Sequence, residues 1–152
     1  MASAAATVLL AGAVAGILDG ADAAIFMGWI RGATVRRVFQ FIASGLLGTD
    51  SFQGGWKTGA LGVALHFCIA IGAAATYYGG SLVLPLLTAR PAICGPVFGL
   101  LVFFFMRQVV IPLSRTPARP FSAIDFVNQI FAHTLLVGLP IGLIISRAAP
   151  PR

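Results

Sequence analysis

Six polar side chains stand inside otherwise apolar runs of this chain: Asp19, Asp22, His66, Arg107, Gln129 and His133. Their types have a definite chemistry. Carboxylates and imidazoles carry protons, a guanidinium pairs with a carboxylate, and imidazoles ligate haem iron. Asp19 and Asp22 are three apart and so share one helix face. Gln129 lies one turn from His133. An ionisable group in an apolar segment is costly to bury and marks a functional site by default.

Three uses are open to these residues. An acid paired with Arg107 and histidines bonded across helices would act as structural glue. A chain of Asp and His would serve permeation or proton relay. His66 and His133 facing each other would hold a haem, the one cofactor with any support; otherwise none is expected. No catalytic residue is assigned, because no nucleophile has a base beside it. No metal site is assigned either: the two cysteines are too few for structural zinc, and Cys68 and Cys94 differ too much in depth for a disulfide.

The elements that must position these residues follow from composition. Of 152 residues, 59% are hydrophobic and 9% charged, and the mean hydropathy is +0.97. A soluble domain carries about 25% charged residues, so that class is excluded and an all-α integral membrane domain is expected. Four stretches are long enough to span a bilayer: roughly 6–30, 59–79, 92–113 and 124–146. Together they form a single domain, an up-down four-helix bundle. The first stretch reads as a retained span, since no Lys or Arg precedes it and an acid lies within it. Counted inward from the spans' ends at the first and third connections, the ionisable residues fall about 9–16 Å deep, in one polar layer.

Small residues recur every fourth position of the first span: Gly12, Gly16, Gly20, Ala24 and Gly28. In lipid, such a stripe lets a second helix backbone approach closely. The first connection predicts an amphipathic interfacial helix over 33–47. Val35, Val38, Phe39, Ile42 and Leu46 line one side, and Arg36, Arg37, Gln40 and Ser44 the other, with the arginines toward lipid headgroups. A gate or lid is the functional alternative for this helix. The formal charge is +6, and its basic residues sit between apolar runs, so the expected partner is the bilayer and not nucleic acid. Arg31, Arg36, Arg37, Lys57, Arg115 and Arg119 lie in the first and third connections. That excess places both termini on the outer, periplasmic side.

The run Arg37-Val38-Phe39-Gln40-Phe41-Ile42-Ala43-Ser44-Gly45-Leu46-Leu47-Gly48 resembles a segment of small bacterial four-span inner-membrane proteins of the YagU-like kind. Leu65-His66-Phe67, Tyr77-Tyr78, Val110 to Ser114 and Val137-Gly138-Leu139-Pro140-Ile141 are similar as well. The resemblance implies a bacterial inner membrane and four helices, and it implies no activity. The leading functional expectation is a non-enzymatic membrane protein acting by helix association, as a homo-oligomer or as a small subunit of a membrane complex. The alternative is a small channel or transporter built on the polar layer.

Overall fold

The computed structural model describes residues 3–120 and 122–148, and every regular element among them is helical. Helix α1, Ala4–Arg31, opens where Ser3 Oγ accepts from Ala6 N at 3.2 Å and closes at Gly32, whose φ of 62° favours glycine. Helix α2 spans Val35–Leu47 and is followed by a 3₁₀ turn, Gly48–Phe52. Helix α3 is Gly55–Val83, and α4 is the single turn Leu86–Ala89. Helices α5 (Pro91–Leu113) and α6 (Ala123–Ala148) complete the chain. The four long helices α1, α3, α5 and α6 match the four expected spans, and each is long and apolar enough to cross a membrane.

Both α5 and α6 contain a widened π turn, Met106–Val110 and Ala132–Gly138. Each turn ends two residues before a proline, Pro112 or Pro140. Proline lacks an N–H, and its ring collides with the carbonyl four residues back. A wider turn relieves that collision and leaves local carbonyls re-aimed.

The packing order is α2, α3, α1, α6, α5. Gly12, Gly16 and Gly20 of α1 are buried against Ile71, Phe67 and His66 of α3, so the two helices run in opposite directions. The stripe therefore serves a contact within the chain. It also ends early: Ala24 and Gly28 are only half-buried, and the space at Gly28 is bounded by Ala33 O of the following connection. Helices α1, α3 and α6 meet in a core of Ala11, Ala15, Ala74, Tyr77, Val137, Ile141 and Ile145.

A second glycine seam joins α5 to α6. A methyl group on Gly99 would strike the His133 carbonyl, and one on Gly138 would strike the Gly95 carbonyl. Gly95 and Gly99 are four apart, as are Gly138 and Gly142, and this spacing allows the close backbone approach. The 138–142 run thus supplies half of this seam.

Helix α2 has the expected extent but a different orientation. Gln40 and Ser44, expected on the polar outer side, are 2% and 0% exposed, whereas Val35 and Leu46 are 50% and 54% exposed. Gln40 Nε2 donates to Gly55 O at 2.9 Å and to Thr58 Oγ1 at 3.2 Å. Those acceptors lie at the start of α3, and they draw the amide inward. Phe39 backbone lies directly over Gly62, so α2 is docked on α3. The third connection then crosses α2, with Arg115 N donating to Gly45 O at 3.0 Å.

Candidate functional site

A cavity of about 630 Å³ lies between α1, α2, α3, α5, α6 and the third connection. Five of the six polar residues singled out in the sequence line it: Asp19, His66, Arg107, Gln129 and His133. The convergence follows from the glycine seam. With Gly16 and Gly20 against α3, Asp19 is carried to the side of α1 where His66 stands.

His66 is 9% exposed, and its Nε2–H donates to the Gly16 carbonyl at 2.8 Å, because a carbonyl only accepts. Its Nδ1 then faces Asp19 Oδ2 at 4.0 Å. Phe39 and Phe67 close on the ring edge-on, with centroids at 5.9 and 5.6 Å. His133 Nδ1–H donates to Gln129 O at 3.0 Å, the carbonyl one turn earlier, and its ring meets Phe103 at 5.6 Å. The shared haem expectation does not suit this arrangement. His66 has committed Nε2 to the backbone and turns Nδ1 toward Asp19.

The acids have partners other than those expected. Asp22 Oδ2 accepts from Asn128 Nδ2 at 2.8 Å, and Asp19 faces His66. The close Asp–Arg pair is instead Arg31 Nη2 to Asp125 Oδ2, at 2.7 Å. Arg107 stands over the Phe126 ring, 5.3 Å from its centroid. Among the described residues no group of three or more His, Cys, Asp or Glu is placed to hold a metal, and Cys68 and Cys94 are free thiols.

The mouth of the cavity is basic. Arg37 lies over the Phe52 ring at 3.9 Å and Arg119 over Phe41 at 4.0 Å, and both line the cavity. Arg36, by contrast, stays exposed, with its stem beside Gly59. Partial burial lowers the Arg119 pKa. Arg31 and Arg37 lower it further, against an opposing effect of Asp125. The guanidiniums therefore repel one another across a small volume.

Asn128 and Asp125 were not singled out from sequence, and Arg31 and Arg119 entered only in the charge count that sets the orientation. For two of them a signal existed. Ser122-Ala123-Ile124-Asp125 has the form of a capping box, and Ser122 Oγ does accept from Asp125 N at 3.3 Å. Asp125 and Asn128 are three apart and share the face that meets α1. Nothing local announced Arg119 on Phe41, because those residues are brought together only by the third connection folding over α2.

Comparison of the chain with protein-family models, with curated proteins and with solved structures gives no match. The functional reading therefore rests on the cavity.

Proposed function

We propose that this is a non-enzymatic multi-pass membrane protein that takes a small solute into the cavity between its helices and conducts it across or out of the bilayer. The supporting observation is the cavity itself. A volume of about 630 Å³ lies within the range of small-molecule sites, about 300–1,000 Å³, and polar groups converge in it from several helices. An ionisable cluster between membrane helices is the usual mark of a solute or proton path.

Several features support the membrane setting and an up-down arrangement of α1, α3, α5 and α6. Large apolar side chains cover the outer surface, among them Leu9, Ile17, Ile25, Leu101 and Leu135. Trp29 and Trp56, 84% and 66% exposed, stand at the end of α1 and the start of α3, where an aromatic belt would meet headgroups. Arg31, Arg36, Arg37, Lys57, Arg115 and Arg119 gather at that same end, whereas the described opposite end carries Arg90 and Arg147. The cavity mouth then opens toward the cytoplasmic leaflet, with both termini outside. An inner membrane of the YagU-like kind accords with this orientation. The association reading loses its main motive, since Gly12, Gly16 and Gly20 already contact α3.

The test is transport by the full chain in vesicles against a cavity-filled variant, Val102→Trp. A panel of protons, chloride, phosphate and acetate is followed by dye or isotope. At least one is expected to cross several-fold faster with the natural chain. Equal rates for the two, with Val102→Trp folded, would overturn the reading.

A further inference from the structure

We propose that the cavity takes an amphiphile with an anionic oxyacid headgroup, the head held by Arg37 and Arg119 and the chain lying between α1, α3 and α5. The inference rests on the cavity reading above and adds the class of solute. Three observations carry it.

The first is how the two arginines are held. Each guanidinium face is covered by a ring, Phe52 for Arg37 and Phe41 for Arg119. A stacked guanidinium keeps its N–H donors in the plane, at its edge, which is the geometry that binds carboxylate or phosphate through two bonds. Neither arginine is paired with a carboxylate among the described residues, and the nearby acid, Asp125, is bonded to Arg31. The second is the charge balance. Arg37, Arg107 and Arg119 line the cavity against only Asp19 and Asp125. Burial is the main cause of the lowered Arg119 pKa, and the neighbouring Arg31 and Arg37 add to it, a repulsion that an anion would relieve.

The third is the shape of the remainder. The lining runs along α1 from Met27 at the mouth to Ala15 at the deep end. At 1.5 Å per residue this is about 18 Å. One leaflet's share of a hydrocarbon core about 30 Å thick is about 15 Å. The deep walls include Ile69, Ala70, Ala73, Val102 and Val137. A free inorganic anion would use the mouth and leave this slot unfilled, whereas a single alkyl chain fills it.

The test uses the full chain in an uncharged maltoside detergent. Dodecyl phosphate with a photoactivatable group in its chain is the probe, and adducts are mapped by mass spectrometry. Adducts are expected on the deep residues of α1, α3 and α5. Unlabelled dodecyl phosphate should displace the probe far more effectively than inorganic phosphate or uncharged dodecyl glycerol ether. Arg37→Gln and Arg119→Gln should each weaken binding about tenfold, the effect of losing one charge-assisted contact. Arg119→Lys, which keeps the charge but loses the two-bond fork, should fall between and guards against a misfolded Gln variant.

A two-chain anionic phospholipid that displaces the probe equally well would keep the anion and identify bilayer lipid as its source. Equal displacement by the uncharged ether would refute the anion while leaving the cavity reading intact. Equal displacement by inorganic phosphate would refute the chain. No saturable labelling, in protein that remains folded, would overturn the amphiphile proposal, while the conduction reading would stand or fall on the vesicle comparison with Val102→Trp.

Discussion

The α1–α3 seam makes a prediction whose sign is set by space alone. Consider two single-methyl changes, Gly12→Ala on α1 and Gly72→Ala on α3. At Gly12 the new methyl would lie 2.6 Å from Ile71 Cα and 2.9 Å from Ile71 N. Both atoms are backbone, so no rotamer change relieves the clash. Carbon atoms rest about 3.5–4.0 Å apart, so the helices must separate by roughly 1 Å. A gap of that size costs a quarter to a half of each contact along the seam, at Gly16 and Gly20 as well as Gly12. Overpacking of this kind costs about 1–3 kcal/mol, less the roughly 1 kcal/mol by which alanine favours a helix over glycine.

At Gly72 nothing lies within 4 Å of the new methyl, so only the helix preference acts and the change is neutral or stabilising. Thermal unfolding of each variant in mild detergent measures the difference. For a chain of this size each kcal/mol moves Tm by about 2–4 °C. Gly12→Ala should melt below the natural protein and Gly72→Ala at or above it. If both shift in the same direction by similar amounts, α1 and α3 do not meet at Gly12, and the placing of Asp19 beside His66 loses its basis.

Other consequences are open to measurement. Gln40→Leu removes the donor to Gly55 O and Thr58 Oγ1, and leaving such acceptors buried costs about 1–3 kcal/mol; a Tm unchanged from the natural chain would show that α2 is not docked through this amide. Gly99→Leu should disrupt the α5–α6 seam more severely than Gly12→Ala, since the first atom met is a backbone carbonyl; assembly of stable, folded protein would refute the seam. Asp125→Asn breaks the Arg31 pair, which is partly exposed, so the expected loss is at most about 1 kcal/mol and is smaller in high salt. In a Cys94→Ser background, Cys68, exposed at the middle of α3, should react in membranes with an apolar maleimide and not with a charged one. Equal labelling by both reagents would remove that surface from lipid.

The four long helices were legible because apolar length is a local property. A run of about 20 apolar residues has few alternatives to a helix where backbone groups must satisfy one another. The α2 helix was legible from its period for the same reason. Most of the candidate site was legible too, since Asp19, His66, Arg107, Gln129 and His133 stand out against apolar neighbours and helical rise assigns each a depth. Depth, however, does not assign a partner. Which acid meets which base depends on how each helix is rotated, and that rotation is decided by side chains on other helices. Gly16 and Gly20 against α3 turn Asp19 toward His66, and Arg31 reaches Asp125 because α6 also packs on α1. Gln40 turned inward because its acceptors lie at the start of a different helix. The sequence alone determined that the chain is helical and apolar, with a few polar residues set in its apolar runs. Only the tertiary structure decided that five of these residues wall a cavity with stacked arginines at its mouth, because rotation and contact between helices arise from pairs of residues far apart in the chain.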